Sequence, residues 1–226
     1  LHHHCINPEM KKAFLAITLL SFMVLAGCRH GRLVTVWESI PPRNTAYSKI
    51  MVVSIPVNGR DSLRQSMEQM AVEKAMNRGY HVVAASGEFG VHGLADMGEE
   101  GTYLKLCEKG VDAVLTLALI DRSFPDFREN PDNKRYTSSF YYNRVWSYSR
   151  LVDSISPGDT EVGNHWALEA IFFDLNRLQP LYVVQAPLGK WPGTEEDWMN
   201  AADMIMEKLI SAKVLGRKQA QQKKAF

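Results

Sequence analysis

The sequence is poor in cysteine. It has three among 226 residues, and only Cys107 lies beyond residue 28, so the main body of the chain cannot close an internal disulfide. Cys107 sits in a helical pattern and reads as a small buried apolar residue rather than a catalytic thiol, because no family signature places a histidine beside it. Zinc spacings of the HExxH or CxxC type are missing, and His30, His81, His92 and His165 are scattered, so no metal site is expected. Neither GxxxxGKS/T nor GxGxxG occurs, and there is no GxSxG elbow. No catalytic residue and no cofactor is expected from motifs of these kinds. An excess of one charge is also lacking: 26 lysines and arginines against 25 acids give a formal net charge of +1, which argues against a nucleic-acid partner. The apolar run from Ala13 to Leu25 falls short of the roughly 20 residues that a membrane-spanning helix needs.

What is present is most informative near the start. Met10-Lys11-Lys12 forms a charged n-region, Ala13 to Leu25 an apolar h-region interrupted only by Thr18 and Ser21, and Leu25-Ala26-Gly27-Cys28 puts small residues before a cysteine. This stretch resembles the signal peptide and lipobox of bacterial lipoprotein precursors. The resemblance implies that Cys28 is diacylated, released by cleavage and acylated again, so that the chain is held to a membrane through that residue. Each buried CH₂ contributes ~0.8 kcal/mol, and one acyl chain alone binds only reversibly, whereas several on one cysteine anchor firmly. Arg29 follows the cysteine, and a residue other than aspartate there points, by the same resemblance, to the outer membrane facing the periplasm. Residues 1–9 do not fit a signal peptide and read as a misassigned start or a cloning remnant; His2, His3 and His4 beside Cys5 are set aside with them.

The reading divides the chain into a leader at 1–9, a signal peptide at 10–27, a lipidated tether at 28–48, an α/β domain at 49–215 and a basic tail at 216–226. The leader and signal peptide together take Glu9, Lys11 and Lys12 with them and leave 24 basic and 24 acidic side chains. The tether contains Pro41-Pro42 and a short β-prone piece at Leu33 to Trp37. Ile50 to Ile55 is a near-continuous apolar run, which suits a strand covered on both faces of a parallel sheet. Asn58-Gly59 turns the chain and Asp61 is placed to cap a helix with Leu63, Met67, Met70, Ala71 and Ala75 on its buried stripe, stopped by Gly79. Tyr80 to Ala84 reads as a second strand, Gly87 to Gly98 as a glycine-rich loop, Glu99 to Lys109 as a second helix and Val111 to Ile120 as a third strand. This order implies right-handed crossovers and a parallel core. Trp166 to Asp174 and Leu181 to Ala186 read as an antiparallel hairpin extending the sheet. Thr194 is placed to cap a final helix with Trp198, Ala201, Ala202, Ile205, Leu209 and Ala212 buried. The expected fold class is α/β: a mixed sheet of five strands or slightly more, with a parallel βαβαβ core extended by a hairpin, packed with three helices.

This order of elements resembles a group of bacterial envelope lipoproteins whose domain is similar to the amino-terminal domain of TolB. The resemblance rests on Lys49 to Pro56, on Gly110-Val111-Asp112-Ala113-Val114-Leu115, and on Ala167 to Asp174 with Leu181-Tyr182-Val183-Val184, and covers roughly residues 48–214. It implies no catalytic residues.

Three segments hold side chains that could bind something. The Gly87 to Gly98 loop follows the second strand, at the end of the sheet where open α/β folds bind ligands, and keeps a small-ligand sensor in view. Asp121, Asp126, Glu129 and Asp132 could supply the paired carboxylates of an envelope glycan hydrolase, but Arg122, Arg128, Lys134 and Arg135 interleave with them as in a solvated loop. Tyr136 to Tyr148 is aromatic-rich; if extended, Tyr142, Arg144, Trp146 and Tyr148 share one face, the residue types favoured at interaction hot spots. The bland alternative is that these aromatics cover a sheet edge. The expected function is therefore a membrane-anchored, non-catalytic domain that binds or scaffolds an envelope protein or glycan.

Overall fold

The computed structural model describes residues 33–39, 45–55, 60–90, 94, 97–121, 145, 166–188 and 193–216. All of them belong to the unit spanning Arg32–Phe226. They form an α/β fold: six strands in one mixed sheet, with four helices among the described residues. In chain order the elements are β1 (Val34–Glu38), β2 (Ile50–Ile55), α1 (Asp61–Met76), β3 (Val82–Ala84), α2 (Ala85–Phe89), α3 (Glu99–Glu108), β4 (Ala113–Asp121), β5 (Trp166–Asp174), β6 (Gln179–Pro187) and α4 (Glu195–Ser211).

The sheet order is β1-β6-β5-β4-β2-β3. Strand β2 lies between β3 and β4 and is parallel to both, pairing Ile50 with Val82 on one side and with Ala113 on the other. Strands β4, β5, β6 and β1 pair antiparallel in succession. The parallel core and its hairpin extension are thus as the hydrophobic runs imply. Alternation along β2 splits it between two layers: Ile50 and Val52 enter one core, Met51 the other.

One face of the sheet is covered by α1 and α4. Leu63, Met67, Ala71 and Ala75 of α1 and Trp198, Ala202, Ile205, Met206 and Leu209 of α4 pack on Leu115, Leu117, Leu168, Phe172 and Val184. Full burial of an aliphatic or aromatic side chain contributes about 1.5–3 kcal/mol, so this layer dominates the stability of the domain. Helix α4 begins with a reciprocal capping box: Asp197 N–H donates to Thr194 Oγ1 and the Asp197 carboxylate accepts from the Thr194 backbone N–H. The two helices are bridged by Lys74 with Asp203 and Glu207.

The opposite face carries α2 and α3. Ala85, Leu106, Val111, Val114 and Phe173 form a smaller core there, with Phe89 and Tyr103 partly buried against it.

Four local differences from the sequence expectation have physical causes. Five of the residues assigned to the tether form β1, because the outer edge of β6 offers unpaired backbone groups that Val34–Glu38 complete, with a bulge between Thr35 and Trp37. A fourth helix, α2, occupies the start of the segment read as a loop; Ser86 N–H is held by the Glu68 carboxylate of α1, and Gly90, at φ +77°, ends the turn. Helix α1 has Arg60, not Asp61, at its cap position and no side-chain cap, so Asp61 serves its first turn through the helix dipole instead. Ala212 is exposed, since α4 ends at Ser211 and Ile210 takes the buried place. Asn58 and Gly59, the basic tail from residue 217 and the signal peptide lie outside the described residues.

Candidate functional site

The carboxyl ends of β2, β3 and β4 lie at one end of the sheet, where β2 is flanked by β3 on one side and β4 on the other. That is the place where open α/β sheets favour ligands. Its most distinctive described feature is Glu68. Helical spacing places this carboxylate on the buried side of α1, between Met67 and Ala71, and it is wholly inaccessible to solvent. Glu68 Oε1 accepts from Ser54 N–H at 2.8 Å and from Arg64 Nε at 3.4 Å; Glu68 Oε2 accepts from Ser86 N–H at 2.8 Å. The carboxylate thereby ties the last residues of β2 to the first turn of α2, two segments that are 32 positions apart. A buried charge of this kind persists only when paired and hydrogen-bonded, and here it is both. Ser54 Oγ, also fully buried, has no hydrogen-bond partner among the described residues.

This arrangement orients backbone. Both carboxylate oxygens are occupied by donors, and the side chain is inaccessible to solvent. A second buried carboxylate, Glu169 on β5, stands opposite Gln185 on β6 and accepts from Gln185 Nε2 at 2.8 Å. It lies on the α2/α3 face, next in the β4 pairing to Ala118.

At the other end of the sheet the acids likewise fasten turns. Asp112 accepts from the Ser48 and Lys49 backbone N–H groups at 2.7 and 3.1 Å and from Ser48 Oγ at 2.8 Å. Asp174 accepts from Tyr47 Oη at 3.1 Å and from Arg177 N–H at 3.0 Å, closing the β5–β6 hairpin. Burial, with the Asp174 charge and hydrogen bond beside it, pushes the Tyr47 phenol well above the ordinary tyrosine range. Glu88 of α2 sits between Lys49 Nζ at 3.2 Å and Lys109 Nζ at 3.3 Å. Hydrogen bonds from those two lysines hold its carboxyl below the usual glutamate value.

Of the residues singled out in the sequence, Leu25, Ala26, Gly27 and Cys28 lie outside the described residues, as do Tyr142, Arg144, Trp146 and Tyr148. Val145, between two of them, is described: it is helical rather than extended and packs on the α2/α3 face beside Ala118, Ile171 and Val183. Asp126, Glu129 and Asp132 are outside as well. Cys107 is exposed on α3, which corrects the expectation that it is buried: Leu106 takes the core position and the next residue, about 100° round the helix, faces water. His81 is exposed and its Nδ1 lies 2.7 Å from the Ser48 carbonyl oxygen. Among the described residues no group of three His, Cys, Asp or Glu side chains is placed to hold a metal ion, and no helix is long and apolar enough to cross a membrane. Sequence reasoning passed over Glu68. The available signal was Arg64 and Glu68, an i,i+4 charge pair set on the same helix stripe as Met67, Ala71 and Ala75.

No protein-family model matches the chain, and no curated protein matches it. Among solved structures, a substituted PelC dodecamer from Paraburkholderia phytofirmans is similar at 12% identity and a TM-score of 0.39, over 83% of this chain and 100% of its own. A second PelC dodecamer from Paraburkholderia phytofirmans is similar at 12% identity and a TM-score of 0.39, over 79% of this chain and 96% of its own. No assembly or activity is transferred to this chain from likenesses of that size.

Proposed function

We propose that the chain is a bacterial envelope lipoprotein, anchored through acylated Cys28 to the outer membrane on its periplasmic side, whose TolB-like α/β domain binds or scaffolds an envelope partner without catalysis. The observation that carries this reading is the Leu25-Ala26-Gly27-Cys28 box at the end of a short apolar run headed by Lys11 and Lys12. A binding role is supported by the use to which the described buried carboxylates are put: Glu68, Asp174 and Glu169 each accept hydrogen bonds that hold backbone or neighbouring side chains in place. The residues proposed to meet the partner are Tyr142, Arg144, Trp146 and Tyr148, whose aromatic and arginine side chains are of the types favoured at interaction hot spots; with Val145 helical rather than extended, they are proposed as a segment and not as one strand face.

The deciding experiment is metabolic labelling with palmitate. The wild-type chain should take up label and Cys28→Ala should not, leaving an unprocessed precursor; label on the variant would overturn the reading. For the proposed segment, Trp146→Ala should weaken capture of crosslinked envelope partners while leaving Tm unchanged.

A further inference from the structure

Resting on the lipoprotein reading, we infer that the end of the sheet formed by the carboxyl termini of β2, β3 and β4 faces the bilayer, and that the β5–β6 hairpin points away from it. Strand β1 carries the argument. Its first residue, Val34, pairs with Gln185 near the end of β6, and Glu38 pairs with Tyr182 farther back. Strand β6 ends at Pro187 beside Ala167, next to Trp166, which pairs with Asp121 at the end of β4. Ile55, the last residue of β2, lies on the same side, at Ala118. The chain coming from Cys28 therefore enters the sheet at the end where β2, β4 and β6 finish.

The length of the connection favours this placement. Cys28 and Val34 are six positions apart, and six fully extended residues span at most roughly 20 Å. From the level of Val34, opposite Gln185, to the hairpin end of β6 at Gln179 is already ~20 Å of strand, and the hairpin turn lies beyond it. For the hairpin end to reach the membrane, the connection would have to run fully extended down the side of the domain with no length to spare, whereas the end where Val34 enters needs none of that reach. Twenty residues of free tether, as the sequence suggested, would allow either end to touch the bilayer; the recruitment of Val34–Glu38 into the sheet removes that freedom. The surface apposed to lipid headgroups then includes the start of α1, where Ser62 is exposed, and the points where the chain leaves β4 and re-enters at β5. A partner for this end is one that itself lies in or on the same bilayer.

The test uses the full chain produced in cells, with Cys107→Ser removing the exposed thiol, reconstituted into vesicles that contain a headgroup-labelled acceptor lipid. Single cysteines at Ser62 and at the exposed Leu178 of the hairpin receive a donor dye. The two positions lie at opposite ends of strands ~30 Å long, so transfer at Ser62→Cys should exceed that at Leu178→Cys by at least about twofold. Insertion of 20 Gly/Ser residues after Gly31, with an r.m.s. span of roughly 25 Å, should abolish the contrast. Equal or inverted transfer in palmitate-labelled protein overturns the orientation alone, and so does a contrast that survives the insertion. Absence of palmitate on the wild-type chain overturns the lipoprotein reading and the orientation with it.

Discussion

The two faces of the sheet are covered by unequal means. On one, α1 and α4 lie side by side and bury large side chains that include Trp198, Met67, Ile205 and Leu209. On the other, the five-residue α2 and the ten-residue α3 cover a smaller core, Phe89 and Tyr103 remain partly exposed, and the strands themselves place Thr116, Glu169 and Gln185 among the apolar residues. The first face is where the fold gets most of its stability; both faces keep buried polar groups, Ser54, Arg64 and Glu68 on the first and Thr116, Glu169 and Gln185 on the second, where Thr116 Oγ1 donates to the Ile171 carbonyl oxygen. The lesson is that hydrophobic runs such as β5 can be continuous in sequence and still present two chemically distinct surfaces, because alternate residues face opposite layers.

The inequality can be broken by mutation. Trp198→Ala, which empties the centre of the α1/α4 layer, should lower unfolding free energy by about 3–5 kcal/mol in urea titration. Glu68→Ala strands the Ser54 and Ser86 N–H groups and removes the carboxylate that Arg64 Nε meets, and should lower it by roughly 3 kcal/mol, the scale for breaking a buried pair. Phe89→Ala, on the thinner layer, should lower it by only about 1–1.5 kcal/mol, since the ring is already partly exposed. If Phe89→Ala and Trp198→Ala prove equal, the comparison fails.

Titration separates the faces in a second way. Tyr47, in the α1/α4 core, has its phenol raised by burial and by Asp174; the unfolded chain ionises first, so stability should fall as pH rises past the ordinary value of 10.0, and Tyr47→Phe should flatten that decline. Glu88, on the α2/α3 side, has its carboxyl lowered by Lys49 and then Lys109. Its contribution is present above the ordinary value of 4.5 and lost as pH falls through the lower folded value, so Glu88→Gln should soften the acid limb of a thermal-denaturation profile. The smallest effect expected is that of Ser54→Ala, which removes a buried hydroxyl without a partner among the described residues and should change stability by no more than about 0.5–1 kcal/mol, in the stabilising direction.

Much of this architecture was legible because it depends on local pattern. Ile50–Ile55 and Ala113–Asp121 announce themselves as buried parallel strands, and Thr194 with Asp197 announces the start of α4. The pattern failed where a distant partner decided the outcome. Gly87 made α2 look like loop, yet Glu68, 18 residues before Ser86, supplies the acceptor that holds its first turn. Leu33–Trp37 was β-prone, but only the open edge of β6 makes it a strand. Glu68 escaped notice because a charge on an apolar stripe acquires meaning only from the backbone donors facing it.

The amino-acid sequence by itself determined the layer structure, since apolar periodicity selects strand or helix, and it supplies the contiguous box before Cys28 on which the proposed anchoring rests. Tertiary structure alone decided that Val34–Glu38 belongs to the sheet, that α2 is helical and that the chain enters at the carboxyl end of the parallel strands. Those outcomes depend on hydrogen-bond partners that are tens to more than a hundred positions away, and no local pattern carries the free energy of a contact made across that distance.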